Sequence, residues 1–217
     1  QTYEQRGIAV QQGYGLTETA PMVTFLSPEY AASKIGSSGR TPLFTEIRLV
    51  DTSGAVLTEP EARGEVQVRG PNIMAGYWNR PEATADAIAA DGWFKAGDVA
   101  YTDAEGFLYI CDRVKDMIIS GGENIYPAEV ESALFKHPSI ADVAVIGLPD
   151  EKWGESVAAI VALKPGSSLD IDQLRDFAGA SLARYKLPRR LEVLNELPRG
   201  ATGKVLKTEL RKQFGAS

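Results

Sequence analysis

The chain has 217 residues, 44% of them hydrophobic, and a formal net charge of −6, which allows one large domain or two small ones with a real core. The acidic balance leaves no general basic footprint, so nucleic acid is not an expected partner and small molecules are favoured. One cysteine, Cys111, and one histidine, His137, exclude an internal disulfide framework, a Cys-rich or His-based metal site and a Cys/His nucleophile pair, and they fit a reducing cytoplasm.

In chain order, residues 8–12 (Ile-Ala-Val-Gln-Gln) read as a short strand running into a Gly13-Tyr14-Gly15 turn, where glycines let the backbone approach a ligand. The end of a strand is the usual place for a site in α/β proteins. Residues 35–41 superficially suggest a phosphate loop but lack its Gly-Lys-Ser/Thr ending, so they read as a plain loop. β segments follow at 46–50, 64–69 and 107–110, which together predict a small antiparallel β unit. One helix interrupts it, with Pro81 in the first turn, a body over 82–90 and Gly92 just beyond its end.

After Arg113 the composition shifts to a compact α+β pattern. Pro127 opens a helix with Val130, Ala133 and Leu134 on one face, and 141–147 and 156–163 read as buried strands. Asp170 or Asp172 can cap a helix presenting Leu174, Phe177, Ala178 and Leu182 to a core. A last helix carries Leu206, Leu210 and Phe214 at i, i+4 and i+8. These patterns place a domain boundary near 114–116, with a short hinge and no long linker. No apolar run approaches the roughly 20 residues that span a bilayer.

Three segments carry more than structure. They are Tyr14-Gly15-Leu16-Thr17-Glu18, the run from Asp112-Arg113-Val114-Lys115-Asp116 through Ser120-Gly121-Gly122-Glu123-Asn124 to Glu131, and Pro198-Arg199-Gly200-Ala201-Thr202-Gly203-Lys204. In this order they resemble the adenylate-forming superfamily, and specifically its acyl-CoA synthetases (fatty acid–CoA ligases), over nearly the whole chain. The resemblance implies an α/β and α+β protein. Residues 1–114 would be the C-terminal part of a large AMP-binding domain, with a small antiparallel β-barrel-like subdomain over about 36–112. Residues 115–217 would be a small, mobile α+β domain carrying a catalytic lysine. Such enzymes place a Ser/Thr/Gly-rich phosphate loop upstream of the Tyr-Gly-x-Thr-Glu segment, and none is found in this sequence. Together with a start at Gln1-Thr2-Tyr3 rather than Met, this predicts a chain whose partner is the missing N-terminal half of the same enzyme, inactive by itself.

The implied reaction joins a carboxylic acid, first of all a fatty acid, to CoA through an acyl-adenylate, with ATP, Mg2+ and CoA as cofactors and co-substrate. An aryl or branched acid stays open, as do a ligase that loads a carrier protein and a non-catalytic nucleotide- or CoA-binding fragment. Joining carboxylate and α-phosphate requires two anions to be neutralised and aligned. By resemblance Lys204 is the lysine of that step, in a Gly- and Pro-rich loop that can insert a long cation between oxyanions; the alternative is an exposed loop lysine. Thr17 is assigned to phosphate, Glu18 to magnesium and Tyr14 to the adenine face, Gly15 giving room, against a helix start with a buried Tyr. Asp98 offers two acceptors to a ribose diol, or forms an Asx turn with Gly97. The family segment usually shows Thr where Ala96 stands. Arg113 is a second ribose or phosphate contact, or a surface pair with Asp112 or Asp116. Lys115 is assigned to the hinge by resemblance alone. Ser120, Gly121 and Gly122 would line a channel for the pantetheine arm of CoA and read equally as a β-hairpin turn. The basic cluster Arg184, Lys186, Arg189 and Arg190 would meet CoA phosphates or an anionic membrane surface peripherally, or be simply solvated. Gly70 to Tyr77 matches another family block and reads as scaffold; Cys111 and His137 read as structural.

Overall fold

The computed structural model describes residues 3–215; Gln1, Thr2, Ala216 and Ser217, at the outer ends of the two expected domains, lie outside them. Contacts divide the chain into two compact units, Gln1–Val114 and Lys115–Ser217.

The first unit opens with a two-stranded ribbon, β1 (Gly13–Tyr14) against β2 (Thr24–Phe25). The strand expected over 8–12 is not formed. Ile8 and Val10 are about half exposed; the Ile8 amide turns back to the Tyr3 carbonyl, and the Gln12 carbonyl accepts from the Leu26 amide. An apolar alternation without a neighbouring ladder has nothing to pair with. A five-stranded antiparallel sheet follows: β3 (Glu46–Val50), β4 (Val56–Leu57), β5 (Gly64–Arg69), β6 (Phe94–Thr102) and β7 (Leu108–Arg113), in the order β4-β3-β5-β6-β7. These pairings run along a path with two ends and do not establish the expected barrel-like closure. Val66, Val68, Phe94, Ala96, Ala100 and Leu108 form the core beneath the sheet, with Tyr14 and Leu16 packed on it.

Helix α1 (Pro81–Ala87) starts at Pro81 as expected but stops short of Ala90. Ile88 turns extended and bridges Phe94, so the chain leaves the helix early to join the sheet. The 35–41 segment is not a plain loop. Ser37 and Ser38 are buried, the Ser37 hydroxyl donates to the Leu108 carbonyl at 2.9 Å, and Gly39 has φ +91° with the Phe25 carbonyl 2.0 Å from where a Cβ would stand. Only glycine allows two backbones to come so close.

The second unit is built on a long hairpin, β10 (Ile140–Asp150) and β11 (Gly154–Leu163). A short hairpin, β8 (Ile118–Ser120) and β9 (Glu123–Ile125), joins β11 on the other side, and β12 (Arg190–Leu194) pairs β11 in parallel. The sheet is covered on both faces, which explains why β10 and β11 read as nearly continuous apolar runs. One face packs Val143, Val145, Val157, Ala159 and Val161 against α2 (Pro127–Leu134) and α3 (Ile171–Gly179). The other packs Ala144, Ile146, Ala158 and Ile160 against Leu197, in the loop after β12, and against Leu210 of α4 (Lys207–Gly215). The last helix begins one residue after Leu206, whose carbonyl accepts from the Leu210 amide. Among the described residues no helix is long and apolar enough to cross a membrane.

Candidate functional site

In the first unit three of the expected residues meet at one carboxylate. Asp98 is buried, at 5% exposure. Its Oδ2 accepts from the Tyr14 hydroxyl at 2.7 Å, and its Oδ1 pairs with Arg113 Nε at 2.8 Å. Two irregularities in the sheet place it. Between the pairs Glu65↔Val99 and Gln67↔Lys95, β6 carries extra residues around Gly97, whose φ of +70° permits the bulge. On the other side the register shifts between Val99↔Asp112 and Ala100↔Ile110, so Cys111 is the bulged residue and Asp98 faces Arg113 across the ladder. Asp98 thus stands in a strand rather than an Asx turn, and the carboxylate at the Arg113 Nε is that of Asp98. Asp112 Oδ1 takes the Arg113 amide instead, and Asp116 pairs with Arg211 at 2.9 Å.

Burial, then the hydrogen bond to Asp98 and its charge, push the Tyr14 phenol far above its usual range, with Arg113 opposing. Tyr14 is thus a neutral donor at any physiological pH. A cavity of about 610 Å³ opens beside it, with Gln12, Gly13, Ser38 and Ile110 in its walls.

Thr17 and Glu18 start a short 3-10 turn, Thr17–Thr19, with Thr17 exposed. The turn is locked by Thr19, whose Oγ1 accepts from the Leu16 amide at 2.9 Å while its proton faces the Leu16 and Pro21 carbonyls. The room at Gly15 is taken by the chain itself, since the Pro21 carbonyl lies 1.5 Å from where a Cβ would be. The 70–77 block does more than scaffold. Asn72 donates to the Thr19 and Met22 carbonyls, Met74 N–H donates to the Glu18 carbonyl, and the Tyr77 hydroxyl donates to Glu18 Oε1 at 3.1 Å. Sequence reasoning missed Tyr77 because a partner 59 residues away leaves no local signal.

The remaining candidates lie in the second unit. Lys115 is exposed in the 3-10 turn Val114–Asp116. Gly121 and Gly122, both with positive φ, form the two-residue turn after Ser120, as the hairpin reading expects. The Gly121 amide donates to the Trp153 carbonyl, and a Cβ on Gly121 would stand 2.7 Å from the Trp153 ring. Lys204 is exposed at the end of a tight loop between β12 and α4. Much of the basic cluster is occupied: Lys186 pairs with Glu129 at 2.5 Å, Arg190 with Glu192 at 2.7 Å, and Arg189 lies over the Trp153 ring. His137 accepts from the Ser139 amide and packs edge-on against Phe177, a structural role.

Residues 1–78 match the family described as AMP-binding enzyme, and residues 129–204 match the AMP-binding enzyme C-terminal domain. A feruloyl-CoA synthase of Amycolatopsis sp. is 50% identical over 98% of this chain and 43% of its own length. The long-chain-fatty-acid–CoA ligase FadD13 of Mycobacterium tuberculosis is 48% identical over 99% of this chain and 42% of its own length. The o-succinylbenzoate CoA synthetase of Bacillus subtilis, solved with the acyl-adenylate intermediate OSB-AMP, superposes with a TM-score of 0.88 at 43% identity, covering 97% of this chain and 42% of that one. The same synthetase has been solved with ATP and magnesium ion, at a TM-score of 0.86. The chain therefore spans less than half the length of these relatives. It belongs to the AMP-binding enzyme family.

Proposed function

We propose that this member of the AMP-binding enzyme family is part of an AMP-forming acid–thiol ligase. The reaction would activate a carboxylic acid with ATP as an acyl-adenylate, releasing pyrophosphate, and then pass the acyl group to the thiol of CoA, releasing AMP. The observation that carries this reading is Asp98, a buried carboxylate held from two sides by Tyr14 and Arg113. Each oxygen keeps lone pairs for a further donor, so a ribose diol can be accepted without moving the group. Arg113 offsets the cost of keeping that charge out of water. Fixed by its hydroxyl, the Tyr14 ring offers a face to adenine beside the open cavity. The exposed Thr17 hydroxyl is free to donate to a phosphate oxygen.

Magnesium fits the residues present. Among the described residues no group of three or more His, Cys, Asp or Glu could cage a metal, but this ion is held by one or two carboxylates together with phosphates. Glu18, steadied by Tyr77, would supply that carboxylate, and the bound ion would neutralise phosphate charge. Lys204 would bring a cation to the carboxylate and α-phosphate oxygens as they join. Lys115 would be the hinge and Ser120, Gly121 and Gly122 the wall of the CoA channel. The five-stranded sheet is read as the barrel-like subdomain of the large domain, and the second unit as the mobile C-terminal domain.

The named relatives act on aromatic and aliphatic acids alike, so the acid class is carboxylic, with a fatty acid first and an aryl acid beside it. The test is AMP and acyl-CoA formation by the full-length enzyme over an acid panel, with Lys204→Ala alongside. Thioester formation that the substitution slows supports the ligase. Adenylate that accumulates without thioester moves the reading to another acceptor such as a carrier protein. The present chain alone is expected to form no acyl-CoA.

A further inference from the structure

Lys204 hangs from a loop whose backbone is closed on itself. The Gly203 amide donates to the Gly200 carbonyl at 2.9 Å, the Gly200 amide to the Lys204 carbonyl at 2.9 Å, and the Leu206 amide to the Pro198 carbonyl at 2.8 Å. Arg199 and Val205 form a bridge across its neck. Val205 packs on the core of this face of the sheet, and Arg199 adds a polar tie to the sheet. The Arg199 guanidinium donates to the Gly203 carbonyl, immediately before Lys204, and to the Asp142 carboxylate on β10. Asp142 is itself oriented, its other oxygen accepting the Val143 amide at 3.0 Å. Gly203 has φ +79° and nothing within 4 Å of its would-be Cβ, so packing does not hold this turn. The backbone bonds above and the guanidinium fork hold it together.

We propose that Arg199 is a positioning residue for Lys204: by clamping the Gly203 carbonyl to Asp142 it fixes the base from which the lysine side chain reaches its target. This rests on the reading that Lys204 serves adenylate formation. A planar fork suits the task because it meets two acceptors at once, which an ammonium cannot do with the same fixed geometry. The pair is partly exposed, at 41% and 29% for the two side chains, so it adds little to folding stability. Its loss should cost catalytic alignment instead.

The experiment separates the two half-reactions in the full-length enzyme. Adenylation is followed by pyrophosphate release, and thioester formation is started from synthetic acyl-adenylate and CoA. Arg199→Ala and Asp142→Asn are each expected to slow adenylation about 10- to 100-fold, the scale of a misplaced catalytic group. Arg199→Lys should fall between them and the parent. Thioester formation should stay within about twofold and the melting temperature nearly unchanged, consistent with a weak surface pair. In a Lys204→Ala background Arg199→Ala should add no further loss, because its effect passes through that lysine. Three results overturn the proposal: adenylation unaffected by Arg199→Ala although Lys204→Ala slows it; equal losses in both half-reactions; or losses that add in the double variant. If Lys204→Ala leaves adenylation unchanged, the underlying reading of Lys204 fails and the proposal falls with it. Should Arg199→Ala misfold, Asp142→Asn gives the same readout from the other side of the contact.

Discussion

The Tyr14 hydroxyl and the Asp98 carboxylate, 84 residues apart in sequence, meet at 2.7 Å, and the second oxygen of Asp98 is taken by Arg113. The first short ribbon and the β6–β7 pair are thereby joined through one buried carboxylate. The contact gives Tyr14 two separable jobs: its ring can face a ligand while its hydroxyl sets the ring's angle. A residue read only as a stacking surface would not need that hydroxyl.

Asp98→Asn keeps the shape of the side chain but removes the charge that pairs with Arg113 at 2.8 Å. Nucleotide affinity should fall at least about tenfold, since hydrogen bonds to charged groups are worth about 1.5–3 kcal/mol, and folding stability should fall by about 1–3 kcal/mol. Calorimetric titration of the full-length enzyme with AMP and urea unfolding measure the two. Unchanged AMP affinity in a folded variant would falsify the ribose role.

Tyr14 also predicts an alkaline signature. Its folded-state pKa is raised, chiefly by burial and then by Asp98, so the folded state holds the phenolic proton more tightly than the unfolded chain. The resulting stabilisation is complete below the unfolded value near 10 and is lost as pH rises past it towards the folded value. Tyr14→Phe should be less stable than the parent near neutral pH, with the gap closing above about pH 10. Tyr77, Tyr101 and Tyr109, also raised by burial first, remain in both proteins and cancel in the difference. A gap constant from about pH 8 to 11 would remove Tyr14 from the linkage.

Much of the frame was legible because it follows from pattern. Strands 46–50 and 64–69 stand where the alternation puts them, and Pro81 and Pro127 open their helices. What failed locally failed for want of a partner, as at residues 8–12, or because a tertiary pairing took the chain away, as at Ile88. Asp98 and Arg113 were each visible as candidates, yet their pairing was not. It depends on two register shifts, and a one-residue slip in a ladder changes which side chains face each other. Tyr77 and Arg199 were invisible as partners for the same kind of reason: their contacts, at Glu18 and Asp142, are fixed by the fold rather than by spacing.

Sequence left the cap of α3 open between Asp170 and Asp172, and the structure chooses. Asp170 Oδ1 accepts from the Gln173 amide at 2.8 Å, and Gln173 Oε1 accepts from the Asp170 amide at 3.1 Å. Asp170→Ala should destabilise the second unit by about 1 kcal/mol. Asp172→Ala, which loses only a favourable charge in the first turn, should cost about 0.5 kcal/mol or less. Denaturant midpoints followed by circular dichroism decide it, and an equal effect of the two substitutions would assign the cap wrongly.

Gly121 and Gly122 look interchangeable in sequence and are not so in space. Both need positive φ, +61° and +86°, so either alanine carries a backbone penalty of about 1 kcal/mol. At Gly122 nothing lies within 4 Å of the added Cβ, and the penalty should stop there. At Gly121 the Cβ would press on Trp153 Cε3 at 2.7 Å, and the Trp153 carbonyl is already tied to the Gly121 amide. The ring cannot yield without disturbing the β10–β11 turn or its contact with Arg189. Gly121→Ala should therefore cost about 1–3 kcal/mol beyond the conformational penalty, the scale of overpacking. Gly122→Asn should be close to neutral, since asparagine tolerates the left-handed region. Unfolding curves with Trp fluorescence as the probe report both stability and the ring's surroundings. If Gly121→Ala and Gly122→Ala lose the same stability with the Trp153 emission unchanged, the ring is not packed on the turn as described.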